Sequence, residues 1–288
     1  MKIVSKIILS MTFALLMTLA FTSYVQAQSM NFGGATGLIS TPTAHTGWEG
    51  KSVALDLGYH YIKDNGKGSS IKGNYSIPKA LVYIGFGAAS LELGGAYDIQ
   101  PEVPNIKTND ILFNGKFAFS TGKGSSATDI AIGGSYQKME LNFNDKTSAD
   151  KQIYLAATYP GSFFTLPAET TIVVGHTWYG SEHKKYRKLY TGDDNKNIDF
   201  SMGFDLNIKP TNGVIHWIND FANYSYSTEA GGADAWTRGC FNTGIRIDPL
   251  KAMKVNKRFK FNIDIIMTDA LDANRGWAVG GTFGLMLF

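Results

Sequence analysis

Five histidines are the residues of this 288-residue chain best suited to acid–base or nucleophilic chemistry, and their spacing does not support it. A serine hydrolase needs a histidine within hydrogen-bond reach of a serine and oriented by an acid. His176 lies between Val174 and Trp178 on an apolar face, with no serine two residues along. No other histidine is spaced from a serine and an acid in a way that predicts a triad. We therefore predict that the protein is not an enzyme, a phospholipase included.

Cofactor sites are also unsupported by the sequence. The single cysteine, Cys240, excludes a disulfide scaffold and a cysteine-based zinc site. No glycine-rich loop follows a strand and opens a helix, as a nucleotide site requires. The acidic runs Asp193-Asp194-Asn195 and Asp269 with Asp272 could bind calcium, but such runs are usually solvated and neither matches a defined calcium loop. We predict no cofactor and no metal.

Residues 1–27 have the three-part pattern of a secretory signal peptide. Lys2 and Lys6 precede an apolar core from Ile7 to Ala20, and small residues end the segment at Ala27. We predict cleavage near Ala27, with an uncleaved membrane anchor as the alternative. Without the two leader lysines, 25 of the 27 basic groups remain against 24 acidic ones. An exported, nearly neutral chain lacks the basic stripe that a nucleic-acid partner requires.

The remaining polar residues that could bind a ligand or line a passage alternate with apolar residues along extended segments. The candidates for one shared polar face are Asp56, His60, Lys72, Asn114, Lys116, Asp205, Lys209, Arg246, Asp248, Lys260 and Asp264. Both signs of charge occur in similar number. If this face lines a barrel, it forms either a hydrophilic passage for polar solutes or sugar chains, or a salt-bridged interior that closes the barrel.

The elements that position these residues are strands, because alternation is the strongest periodic signal after Gly50. The clear examples run from Val53 to Tyr61, Ile111 to Phe119, Phe200 to Ile208 and Phe259 to Met267. Weaker versions raise the total to about twelve, and the stretch from 78 to 90 is ambiguous between a long strand and an extra one. No stretch after the leader has the roughly 18 consecutive apolar residues of a membrane helix.

The alternating pattern fits a membrane barrel better than a soluble periplasmic sandwich. The clear strands have the length of a tilted membrane crossing, aromatic residues cluster near strand ends, and the chain ends on a strand closing with Phe288. We predict an all-β fold, a transmembrane antiparallel up-and-down β-barrel of about twelve strands over residues 51–288, in the outer membrane of a Gram-negative bacterium. Phe288 would be the assembly signal, and the expected partners are the barrel-assembly machinery, outer-membrane lipid and lipopolysaccharide.

Residues 28–50 are too polar and glycine-rich for a lipid-facing strand, and Pro42 interrupts ladder pairing. They form either a plug inside the barrel or an irregular periplasmic lead-in. The basic loop Ser181 to Lys188 is either solvated or a contact for anionic lipopolysaccharide or acidic polysaccharide.

The start of the mature chain resembles a known family. The residues are Thr36, Gly37, Leu38, Ile39, Ser40, Thr41, Pro42, Thr43 and Ala44. This string resembles the opening of the YjbH-like family of outer-membrane proteins associated with exopolysaccharide production. The segments 91–94 and 244–250 and the closing hairpin are further points of similarity. Some members of the family are longer lipoproteins, whereas this chain has no acylation cysteine at the leader's exit.

The resemblance implies a supporting role in exopolysaccharide or cell-envelope export, with polysaccharide as a partner. The residues by themselves leave two alternatives open. One is a general channel for small polar solutes, and the other is a closed structural or surface-interaction barrel.

Overall fold

The computed structural model describes residues 29–45, 47–48, 50–64, 73–100, 109–121, 127–141, 146–163, 165–185, 197–223, 239–253, 258–271 and 276–288. The predicted leader and Lys72 lie outside these residues. In the part of the chain that is described, we find no helix with the length and apolar character needed to cross a membrane.

Within the described ranges, twelve strands pair antiparallel with their neighbours and close into one barrel, as the alternation predicted. Two short strands precede them: β1 (Ser29–Met30) and β2 (Thr36–Gly37). The barrel strands are β3 (Val53–Asp64), β4 (Gly73–Gly85), β5 (Ala89–Ile99), β6 (Asn109–Ser120), β7 (Asp129–Leu141), β8 (Lys146–Phe163), β9 (Leu166–Trp178), β10 (Ile198–Asn207), β11 (Ile215–Ala222), β12 (Cys240–Ile247), β13 (Phe259–Thr268) and β14 (Gly276–Met286). β14 pairs with β3 and closes the barrel.

Alternation decides which side chains face the lumen, because successive residues of a strand point to opposite faces. On β3, Asp56 and His60 are buried, whereas Leu57 and Tyr59 are exposed on the outer surface. The ambiguous stretch 78–90 forms no extra strand: β4 continues to Gly85, and β5 begins at Ala89.

The exterior of the barrel is apolar along the strands. Its most exposed side chains include Leu57, Leu93, Phe113, Leu155, Val174 and Ile265, each more than half exposed. Contiguous apolar surface of this extent is disfavoured in water. Outward-facing apolar bands of this kind cover transmembrane barrels, whose closed ladders leave no backbone group unpaired in lipid.

Two residues predicted to face the lumen lie in turns instead. β10 ends at Asn207, and Lys209 begins an exposed 3₁₀ turn that contains Pro210 and ends at Asn212 with φ of 52°. Proline cannot continue the ladder, so the alternation stops before Lys209. β12 ends at Ile247, and the Asp248 carboxylate caps the helix Pro249–Ala252 by accepting from the Lys251 amide at 3.0 Å.

Candidate functional site: a peptide segment inside the barrel

Residues 29–45 and 47–48, which we call the lumenal segment, lie inside the barrel. Met30 donates its amide to Thr282 on β14 at 3.2 Å, and Ala44 donates its amide to Thr158 on β8 at 2.9 Å. β14 and β8 are six strands apart in the closed order of twelve, so they lie on opposite sides of the barrel. The segment therefore spans the lumen, and nearly all of its residues are buried.

The lumenal segment has a local fold of its own. β1 and β2 pair antiparallel, and the chain turns between them at Gly34, whose φ of 84° favours glycine. The Asn31 side chain ties the ends of this turn together. It accepts from the Ala35 amide at 3.1 Å and donates to the Ser40 carbonyl at 3.2 Å.

Three cationic side chains of the barrel wall bind the main chain of the segment. Each donates to at least two carbonyl oxygens, and the shortest bonds are 2.7 Å. The contacts are Lys79 to Met30 and Asn31, Lys116 to Thr36, Thr43 and His45, and Arg246 to Gly37 and Leu38. Hydrogen bonds from charged donors are stronger than neutral ones, so these cations hold the segment by its backbone.

The carboxylate of Asp220 on β11 binds backbone amides of the same segment, whereas the three cations bind its carbonyls. Its Oδ2 atom accepts from the amides of Ile39, Ser40 and Thr41 at 3.1, 2.6 and 2.8 Å. The Ser40 hydroxyl also lies 3.2 Å from each carboxylate oxygen. Three consecutive amides around one anion form the kind of concave nest that binds anions. Asp220 thus fixes the turn in the middle of the family-like motif.

His45 fixes the segment near the barrel end at which β7 and β9 begin. Its Nδ1 atom lies 2.6 Å from Asp129, and its Nε2 atom contacts Glu169. Burial disfavours the charged imidazole, but the two carboxylates outweigh that effect and raise the pKa of His45 to about 10. His45 is therefore an imidazolium at neutral pH.

Trp48 closes the same end of the lumen. Its indole Nε1 donates to Asp56 at 2.9 Å, and Asp56 also pairs with Lys260. The Lys260 ammonium lies 5.1 Å from the centre of the Trp48 ring, within cation–π range. The chain leaves the lumen here and enters β3.

Ion pairs in the wall support the groups that bind the segment. Lys116 pairs with Glu92 at 2.9 Å, and Arg246 pairs with Asp264 at 2.8 Å. Glu92 also accepts from the Thr36 hydroxyl and the Gly47 amide, both at 2.8 Å.

His60 connects the remaining cation to this network. Lys79 donates to its Nδ1 at 2.8 Å, so Nε2 carries the proton and faces Asp264 at 3.3 Å. Because buried charges need partners, the network orders the wall around the segment.

Apolar side chains complete the packing. Phe32, Leu38 and Ile39 of the segment form one cluster with wall residues. Those wall residues are Ile62, Tyr75, Ile77, Ala96, Leu112, Ile218, Ile266 and Ala278. Every member of this cluster is less than a tenth exposed. At this level the lumen resembles a protein core more than an aqueous passage.

Glycine on the wall provides room for the segment. A Cβ atom at Gly94 would lie 2.6 Å from the Gly34 carbonyl oxygen and 2.7 Å from the Leu81 side chain. Real Cβ atoms do not approach a carbonyl oxygen this closely, so a larger residue at Gly94 would displace the segment.

The opposite end of the lumen also carries a histidine–carboxylate contact. Residues 181–185 form a short helix, and its His183 Nδ1 lies 2.5 Å from Asp150 at the start of β8. The His183 amide donates to the Ser148 hydroxyl at 3.2 Å, and the Gly180 amide donates to Asp150 at 2.9 Å. The helix is therefore tied to the inner face of the wall.

Most of the candidate polar residues come together around the segment. Asp56, His60, Asn114, Lys116, Arg246, Lys260 and Asp264 face the lumen, where Asn114 donates to the Gly33 carbonyl at 2.9 Å. Asp205 is buried against His216 at 2.6 Å and is the cross-strand neighbour of Glu169. Lys209 and Asp248 lie in turns.

Sequence reasoning missed five charged wall residues that bind the segment: Lys79, Glu92, Asp129, Glu169 and Asp220. Lys79 follows a proline in the ambiguous stretch, and Asp129 and Glu169 lie where strands begin. Glu92 alternates with Leu91 and Leu93 and could have been found from the pattern.

The described residues contain no cluster of three or more His, Cys, Asp or Glu side chains that could hold a metal ion. His176, the histidine considered for catalysis, packs edge-on against the Trp178 ring at 4.6 Å. His45, His60, His183 and His216 contact carboxylates that belong to the packing described above.

Comparison with known proteins yields structural matches alone: no family model and no curated protein sequence matches the chain. The chain is similar to the KdgM porin, with 8% identity and a TM-score of 0.45 over 79% of this chain and 98% of that one. The translocator domain of the autotransporter NalP from Neisseria meningitidis matches with 8% identity and a TM-score of 0.44, over 83% and 88%. Outer membrane phospholipase A from Escherichia coli matches with 10% identity and a TM-score of 0.41, over 81% and 92%. Fold likeness of this kind does not assign an activity.

Proposed function

We propose that this chain is an outer-membrane barrel that its own lumenal segment keeps closed, and that it supports exopolysaccharide or cell-envelope export without serving as an open conduit. One observation supports the proposal that the lumen is closed. Wall residues from opposite sides of the barrel, such as Arg246 on β12 and Lys116 on β6, bind the segment's backbone, while its apolar side chains pack into a buried cluster.

The export role comes from the family resemblance, and the contacts give the resembling motif a physical meaning. Arg246 binds the carbonyls of Gly37 and Leu38, and Asp220 binds the amides of the next three residues. The motif that resembles the YjbH-like family is therefore among the parts of the segment that the wall holds. The apolar exterior and the predicted leader support an outer-membrane location.

Ser40→Asp tests the closure without altering the wall. The new carboxylate would meet Asp220, whose oxygens lie 3.2 Å from the Ser40 hydroxyl, and like charges in a buried site repel strongly. We expect the unaltered chain to be silent in planar bilayers and Ser40→Asp to conduct. Ser40→Asn is the matched control, because its neutral amide can donate to Asp220 and should leave the barrel closed.

Steady conductance by the unaltered chain would overturn the closure and support the general-channel alternative. A heat-dependent shift in gel mobility verifies that each variant is a folded barrel. The export role needs a separate experiment in the bacterium that encodes the chain. Deleting the gene should lower secreted polysaccharide, and expression of the unaltered chain should restore it. Unchanged secretion would remove the export role and leave a closed structural barrel.

A further inference from the structure

The lumenal segment brings almost no charge into the barrel. His45 is its one ionisable side chain, since residues 29–48 contain no Lys, Arg, Asp or Glu. The charged groups of the interface therefore belong to the wall. Within the described residues they comprise the cations Lys79, Lys116, Arg246 and Lys260 and the anions Asp56, Glu92, Asp129, Glu169, Asp220 and Asp264.

Three of the four cations are already neutralised within the wall. Lys116 pairs with Glu92, Arg246 with Asp264, and Lys260 with Asp56. The fourth cation, Lys79, donates to His60 and to segment carbonyls.

The other three anions bind the segment directly. Asp220 accepts its amides, and Asp129 and Glu169 hold the His45 ring. Three carboxylates that bind the segment thus stand against one ammonium that does, although Asn242 of the wall also donates to Asp220 at 2.9 Å.

From this imbalance we infer that the lumen, once the segment leaves it, selects cations and protonated amines over anions. The inference rests on the proposed closure. The His45 imidazolium between Asp129 and Glu169 is the cation that this wall binds in the closed state. A mobile cation that enters the vacated lumen meets the same two carboxylates and the Asp220 carboxylate beyond them. Rings of acidic side chains select cations in channels by this mechanism.

Acidic side chains also face the lumen at its other end. Asp110 and Asp199 are buried where β6 and β10 begin. Gln137 donates to Asp110 at 3.0 Å, and Gln152 donates to Asp199 at 2.7 Å. Two further carboxylates therefore lie on the lumenal face of the wall at this end.

The test measures the reversal potential of an opened barrel in a gradient of KCl. Gly94→Val opens the lumen without adding charge, because its side chain would occupy the space of the Gly34 carbonyl. We expect the reversal potential to shift toward the equilibrium potential of potassium. Adding Asp129→Asn and Glu169→Gln should shift it back toward zero, and adding Lys79→Met should shift it further toward potassium. Glu140→Gln is the matched control, because Glu140 is exposed on β7, and it should shift nothing.

A reversal potential at zero or toward chloride in the opened barrel would overturn the selectivity while leaving the closure intact. A second opener, deletion of residues 29–48, guards against a folding defect of Gly94→Val, with gel mobility again confirming the folded barrel. If both folded openers fail to conduct, the proposed closure by the segment is wrong, and the selectivity fails with it.

Discussion

The Oδ2 atom of Asp220 accepts a 2.6 Å hydrogen bond from the backbone amide of Ser40, although the two residues are 180 positions apart. This contact joins the turn of the lumenal segment to the barrel wall. Because the neighbouring amides of Ile39 and Thr41 bind the same oxygen, one carboxylate satisfies three buried donors. Losing the acceptor would leave those donors without a partner at that atom.

Asp220→Asn should loosen the segment while the barrel stays folded. The substitution keeps an acceptor oxygen but removes the charge, and bonds to charged groups contribute about 1.5–3 kcal/mol each against about 1 kcal/mol for neutral ones. Hydrogen exchange at the amides of residues 38–41 should therefore become faster. Asp205→Asn is the control, because Asp205 is equally buried but bonds His216. Unchanged exchange in Asp220→Asn would show that the three-amide nest does not hold the segment.

Arg246→Met should destabilise the whole barrel as well as the segment. Arg246 is 2% exposed, and its loss would leave the Asp264 carboxylate buried without its guanidinium partner. Removing one member of a buried pair costs about 3–5 kcal/mol, so the urea midpoint of unfolding in detergent should fall markedly.

The double variant Arg246→Met with Asp264→Asn should recover part of that loss, because it removes the orphaned charge. Lys63→Met, at an exposed position on β3, is the control and should change little. An unfolding midpoint equal to that of the unaltered chain would mean that the Arg246–Asp264 pair does not stabilise the barrel.

The docking of the segment should weaken as the pH rises above neutrality. The pKa of His45 is raised from 6.5 to about 10 in the folded chain, so the imidazolium is favoured by folding. Its stabilisation is complete below the unfolded pKa and is lost as the pH approaches the folded pKa. Exchange protection of the segment should therefore decline between roughly pH 6.5 and pH 10. His45→Gln should have weaker protection with no such decline, and an identical pH profile in both proteins would refute the role of His45.

Phe288 should matter for assembly more than for the stability of the finished barrel. Its ring is 78% exposed, while its carbonyl oxygen accepts from the Val53 amide at 2.9 Å beside the β14–β3 seam. Phe288→Ser keeps that backbone bond and removes the aromatic ring. We expect less folded barrel in the outer membrane but an unchanged urea midpoint for the protein that does assemble. Equal recovery of both proteins would argue against the predicted assembly signal.

The barrel was predictable because alternation is a local property of the chain. Val53 to Tyr61 and Phe259 to Met267 alternate strictly, and each forms the strand that the pattern indicates. The family-like motif was equally readable, since it lies within nine consecutive residues. The alternation failed at Lys209, where Pro210 ends the ladder.

What the sequence by itself determined is therefore the strand count, the identity of the inward face and the presence of a distinctive segment before the first strand. Only the tertiary structure decided what occupies the lumen. Lys79, Asp220 and His45 acquire their partners when twelve strands close into a cylinder, because closure brings residues far apart in sequence to one axis. Alternation predicts the face of the sheet on which a side chain lies, but it does not predict which residues across the lumen that side chain contacts. The same charges were therefore compatible with an open passage or a filled one.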